Sequence, residues 1–227
     1  MSNPDPYSDP DTGVLYNKLG LHTWEELQDA EREITRRRVM ELAADPPRPT
    51  YDLDHLRTIH RRLFSDLYTW AGEIRTVDIA KTDLFCRPQF IVEQSQQLFS
   101  ELANDNHLNG LDRQQFINKV AHYLGELNAI HPFREGNGRT QRAFVAQLAS
   151  DAGYLIDWQN FDERKNIEAS KASFKGNIEP LRQLLNIHVI STRTKKPPTK
   201  PSPGLQFGMN PLDFQSPSQD LGFDRQI

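Results

Sequence analysis

His131-Pro132-Phe133-Arg134-Glu135-Gly136-Asn137-Gly138-Arg139-Thr140-Gln141-Arg142 is the stretch on which the fold turns. Ahead of it, Phe116, Val120, Tyr123, Leu124, Leu127 and Ile130 recur at helical spacing behind Asp112, a ready N-cap. Behind it, a second helix is expected from Arg139 to about Ala152, with Gly153 fitting its end. The stretch is therefore a bend between two helices. Pro132 stiffens its entry, and Gly136 and Gly138 flank Asn137, so the backbone there can take positive φ and approach a ligand closely.

Those residue types suit phosphate chemistry. The second helix begins at the bend, so its unbonded N–H groups and positive dipole end favour an anion. Arg139 and Arg142 lie three apart on that helix and share a face, as a polyphosphate clamp requires. Glu135 offers a hard oxygen beside the anion site, suited to magnesium shared with phosphates. His131 is the nearby group able to accept a proton near neutral pH. Phe133 reads as an apolar anchor for the loop. No Lys-Ser or Lys-Thr follows the glycines, so this is not a Walker loop.

Working outward, Thr23 with Glu26 three residues on reads as the start of a helix through Ala43, with Leu27, Ala30, Ile34 and Met40 apolar. The proline-rich run from Asp45 to Pro49 ends it. Asp52 or Asp54 can cap the next helix, where Leu56, Ile59, Leu63, Phe64 and Leu67 hold helical spacing. Residues 74–86 then read as a short β-hairpin, with Lys81 and Thr82 at its turn. Pro88 opens a helix toward Asn104, Asp162 one to Phe174, and Pro180 sits in the first turn of a last one ending near Val189. The expected fold is all-α with one inserted hairpin. Residues 1–15 are expected to be a flexible lead-in, 16–190 the folded domain, and 191–227 a proline-rich disordered tail whose Phe207, Leu212, Phe214 and Phe223 could dock a partner.

A net charge of −4 gives no global basic field, so direct nucleic-acid binding is not expected. The single cysteine, Cys86, excludes an internal disulfide and a multi-cysteine zinc site. The amino terminus has no basic start or apolar run, and no stretch approaches about 18 consecutive apolar residues. A cytoplasmic protein without a membrane span is expected, with export by a specialised secretion system left open.

The run from His131 to Arg142 resembles the signature of the Fic family, His-Pro-Phe-x-Asp/Glu-Gly-Asn-Gly-Arg-x-x-Arg, at every defined position. The resemblance extends from about Tyr16 to Val189, through pieces such as Leu56-Arg57-Thr58-Ile59-His60, Trp70-Ala71-Gly72-Glu73-Ile74-Arg75 and Asn177-Ile178-Glu179-Pro180. It implies a protein adenylyltransferase that moves AMP from ATP to a Ser, Thr or Tyr hydroxyl of a target protein. His131 would be the general base and Glu135 the Mg²⁺ ligand. Gly136, Asn137 and Gly138 would form an anion hole, with Arg139, Thr140 and Arg142 along the phosphates. The hairpin with Lys81 and Thr82 would be a flap that covers the nucleotide and pairs with the target; Asn166, Ile167 and Phe174 would lie near adenine. A glycine at 138, where kinase-type relatives carry lysine, favours AMP transfer. Many relatives hold an inhibitory helix whose glutamate blocks the second signature arginine. Thr69 and Glu73 have its spacing, but Ile74 follows and breaks the motif. A separate small antitoxin protein is the expected inhibitor. Competing readings are a non-catalytic docking adaptor and a transferase of another nucleotide or phospho-group.

Overall fold

The computed structural model describes residues 5–80 and 84–192. Seven α-helices occur among them: α1 (Trp24–Ala44), α2 (Leu53–Phe64), α3 (Pro88–Asn104), α4 (Arg113–Ile130), α5 (Asn137–Asp151), α6 (Glu163–Phe174) and α7 (Glu179–His188). Strands β1 (Tyr154–Ile156) and β2 (Val189–Ser191) pair antiparallel, Leu155 opposite Ile190. The mostly helical architecture matches the expectation from sequence.

Helix α4 is the centre, packed by α3, α5, α6 and α7, while α2 joins α1 to α5. It starts at a full capping box, in which the Asp112 carboxylate takes the Gln115 N–H and the Gln115 side chain takes the Asp112 N–H. Its apolar stripe from Phe116 to Ile130 is buried as the spacing requires. Gly125 is where α6 comes closest: a Cβ there would lie 2.5 Å from the Ser173 hydroxyl. Asp52, rather than Asp54, caps α2. Thr23 caps α1, but the Glu26 carboxylate takes the Thr23 hydroxyl instead of closing a reciprocal box.

Four expectations are corrected. The inner face of α1 is Leu27, Glu31, Thr35, Val39 and Leu42, and Met40 is exposed. Polar Glu31 and Thr35 sit inside because a cation from α5 meets them there. The β1–β2 pair was not foreseen, because three-residue strands are too short to show a period; Ser191 belongs to it rather than to the tail, while the last helix ends at His188, near Val189 as expected. Helix α5 begins at Asn137, two residues before its expected start. The lead-in is packed from Asp5 on: Ser8 bridges Leu15, Val14 and Leu15 are buried, and the Tyr7 ring meets Trp70 edge-on at 5.5 Å.

In the expected hairpin, Ala80 bridges Leu84 and the Phe85 N–H donates to the Ile79 carbonyl. Lys81 and Thr82 lie outside the described residues, as do Phe207, Leu212, Phe214 and Phe223.

Candidate active site

His131 is the C-cap of α4 and takes a left-handed conformation, φ 49°. Pro132 excludes the right-handed helical region for the residue before it, so the chain leaves the helix here. The Asn128 carbonyl lies 3.2 Å from His131 Nδ1. A carbonyl only accepts, so Nδ1 carries the proton in this contact. Phe85 lies flat against the imidazole, with centroids 3.9 Å apart. Phe174 meets Phe85 edge-on from α6.

The bend is closed by Asn137. Its Oδ1 accepts from the Phe133 N–H at 2.9 Å, and its Nδ2 donates to the Phe133 carbonyl at 2.7 Å. That side chain is a staple, so Asn137 offers an anion its backbone N–H rather than its amide. Gly136 is irreplaceable in geometry: φ is +79°, and a Cβ would lie 2.3 Å from the Phe64 ring. No side chain caps α5, whose first turn is left to face the bend. Gly138 is exposed, and a Cβ on it would meet only Arg142 Nη1, at 3.5 Å. Glu135 is partly exposed, with Oε1 accepting from the Gly136 N–H at 2.7 Å.

Arg139, expected along the phosphates, points inward. Its guanidinium is buried in an ion pair with Glu31, donates to Thr35 Oγ1 at 3.3 Å, and lies over the Phe64 ring at 4.8 Å. Burial alone would lower its pKa, but the Glu31 and Glu135 carboxylates outweigh that and hold it above its ordinary value. Tyr68 donates to the same Glu31 carboxylate. Thr140 is also internal: it is fully buried, and its hydroxyl donates to the Gly136 carbonyl at 2.9 Å. Half-buried Arg142 is the signature arginine that stays beside Gly138. Half-buried Asn166 and exposed Ile167 sit on α6, and Phe174 of the same helix meets Phe85.

Sequence reading missed three supports. His60, fully enclosed, spans the bend: Nδ1 accepts from the Gly72 N–H at 2.8 Å, and Nε2–H donates to the Glu135 carbonyl at 2.9 Å. Burial pushes its pKa down to about 3, so it stays neutral. Arg75 is buried below the flap, and Glu31 lies in α1. Two polar residues four apart on an otherwise apolar helix face were the available signal for Glu31.

A divalent ion would find one suitable carboxylate here. Among the described residues no cluster of three His, Cys, Asp or Glu could hold a metal alone. Glu135 fits an ion that takes its other ligands from phosphates and water, as magnesium commonly does.

The helical scaffold sets a histidine and a glycine-flanked helix start on the bend between two central helices. The Fic/DOC family model matches residues 50–149, and the chain belongs to that family. It is 43% identical over 182 residues to the protein adenylyltransferase VbhT of Bartonella schoenbuchensis, covering 80% of this chain and 38% of that one. It is 35% identical to the probable protein adenylyltransferase Fic of Escherichia coli, covering 80% and 90%. Among solved structures, the N-terminal Fic domain of a VirB-translocated Bep effector from Bartonella quintana with bound ADP superposes with TM-score 0.77 at 30% identity, covering 82% of this chain and 95% of that one. BepC of Bartonella tribocorum with bound AMPPNP gives 0.76 at 26% identity, covering 82% and 97%. The chain thus spans under two-fifths of VbhT but nearly all of the E. coli relative.

Proposed function

We propose that this chain is a protein adenylyltransferase, which binds ATP at the bend and moves AMP onto a hydroxyl of a target protein. The carrying observation is that His131, with its Nδ1 on the Asn128 carbonyl, ends α4 at the bend whose other side is the uncapped start of α5. The relatives named as adenylyltransferases, and the neighbours with ADP or AMPPNP bound, support the same reading.

In this reading the N–H groups of Asn137 and Gly138 hold phosphate oxygens, and Arg142 takes the outer phosphates. Glu135 would hold Mg²⁺, which when bound offsets charge on the phosphates. His131 Nε2 removes the proton from a Ser, Thr or Tyr hydroxyl of the target. The oxygen attacks the α-phosphorus, the bond from that phosphorus to the bridging oxygen breaks, and pyrophosphate leaves. Lys81 and Thr82, at the flap turn, would contact nucleotide or target, and the flap would pair with an extended target segment. Phe174, with Asn166 and Ile167 on the same helix, would border the adenine. Glycine at 138, where kinase-type relatives carry lysine, favours this placement of the triphosphate over a kinase-like one.

Residues 69–72 form turns and Glu73 is irregular, so no inhibitory helix stands there. A separate antitoxin protein would supply inhibition. No helix among the described residues is long and apolar enough to cross a membrane. The Bep neighbours named as VirB-translocated effectors support transfer into another cell as one setting for the activity.

The test is His131→Ala. Transfer of label from α-labelled ATP should fall by about 10²-fold or more, while ATP affinity measured by calorimetry should hold. A variant that transfers at the normal rate contradicts the assignment.

A further inference from the structure

We propose that Arg75 is a positioning residue that makes the flap and the His131 imidazole one mechanical unit; this rests on the adenylyltransferase reading. Arg75 is 2% exposed, yet its hydrogen bonds run to main-chain carbonyls rather than to a carboxylate. Burial without an ion pair disfavours its charge, and its pKa is lowered by that desolvation. Such a placement costs stability, so the carbonyls it gathers are the informative part.

They come from three pieces of chain. Nη1 donates to the Val77 carbonyl at 2.7 Å, on the leading leg of the flap. Nη2 donates to the Cys86 carbonyl, on the returning leg. Nε donates to the His131 carbonyl at 2.8 Å, and Nη2 lies 3.4 Å from the Ile130 carbonyl, both at the end of α4. Backbone bonds run in parallel: the Arg75 N–H to the Pro132 carbonyl at 3.0 Å and the Cys86 N–H to the Ala129 carbonyl at 3.1 Å. A planar fork with five N–H donors can serve this many carbonyls at once; an ammonium on one stem cannot match its directions.

Phe85 carries the coupling. It adjoins Cys86, and its ring lies within 14° of parallel to the imidazole. Fixing the Cys86 carbonyl therefore fixes the Phe85 ring, which holds the imidazole plane. The same guanidinium holds the left-handed His131 backbone through its carbonyl. With both held, Nδ1–H stays on the Asn128 carbonyl. A target strand that moves the flap thus moves the base.

The experiment uses the full chain as wild type, Arg75→Gln, Arg75→Lys, Phe85→Leu and the Arg75/Phe85 double variants. The ¹⁵N shifts of the His131 imidazole are assigned by comparison with His131→Ala, ATP affinity is measured by calorimetry with magnesium, and transfer is measured with α-labelled ATP on lysate proteins. Arg75→Gln should bind ATP within about threefold of wild type but transfer about 10²-fold more slowly, as a displaced catalytic group does. Its His131 nitrogen shifts should leave the Nδ1–H pattern for an average of tautomers, with partial recovery in Arg75→Lys. Adding Phe85→Leu should cost little more, because both act through one ring. A wild-type nitrogen pattern in Arg75→Gln, or two substitutions whose effects multiply independently, overturns the proposal. Should Arg75→Gln prove too unstable to purify, Arg75→Lys enters the same cycle. The nitrogen shifts are read without ATP, so they judge Arg75 even if no AMP is transferred.

Discussion

His60 has both ring nitrogens committed, one to the Gly72 N–H and one to the Glu135 carbonyl, and so cannot take a second proton without losing a bond. Its pKa near 3 lies below that of an unfolded histidine. From about pH 6.5 downward the unfolded chain binds a proton that the native chain refuses, so stability falls with acidification by up to about 1.4 kcal/mol per pH unit. Buried His55 and His188 act in the same direction. His60→Gln should flatten this slope in urea titrations between pH 4 and 6.5; an unchanged slope contradicts the account. Gly136→Ala meets both a left-handed φ and the Phe64 ring, and should lose roughly 3 kcal/mol or more in the same measurement. At this scale the sequence was legible where chemistry is contiguous. His131, Glu135 and the glycines stand within eight residues and declare a phosphate site. Arg75 was not legible, because the carbonyls it serves carry no side-chain identity and one lies 56 residues away.

Helices α1 and α5 are joined by the buried pair of Glu31 and Arg139, with Tyr68 and Thr35 completing the hydrogen bonds. Removing one partner leaves the other charged and buried. Glu31→Ala should therefore destabilise by about 3–5 kcal/mol, measured by denaturant unfolding; a loss within experimental error would show that the pair is dispensable. By contrast, Asp112→Ala removes only the cap of α4, at about 1 kcal/mol, and transfer should be unaffected. Helix limits were readable because their signals are local: Thr23, Asp52, Pro88, Asp112 and Asp162 all stand at observed starts. The inner face of α1 was not, since reading it required knowing that an arginine from a distant helix would arrive opposite Glu31. Equal spacing made two signature arginines look alike; burial separates Arg139, inside, from Arg142, beside Gly138.

Across the whole molecule, α4 carries the histidine at its end, α5 begins the cradle, α2 braces the bend through His60 and Phe64, and Phe85 lies flat against the imidazole. The fold class was readable because capped helical periods run through most of the chain. The ordered lead-in was not, since its hold comes from distant partners, the Arg134 guanidinium on Asp5 and Trp70 on Tyr7. With residues 69–72 in turns and no inhibitory helix there, the isolated chain should transfer AMP without any truncation. The central claim is that the triphosphate lies with its innermost phosphorus toward Nε2 of His131. Parallel incubations with magnesium and ATP labelled either at the α- or at the γ-phosphorus test it most directly. The account predicts that the α label becomes protein-bound, the γ label leaves in pyrophosphate, and His131→Ala abolishes the protein-bound signal. Protein-bound γ label, or α label transferred equally well by His131→Ala, would contradict it.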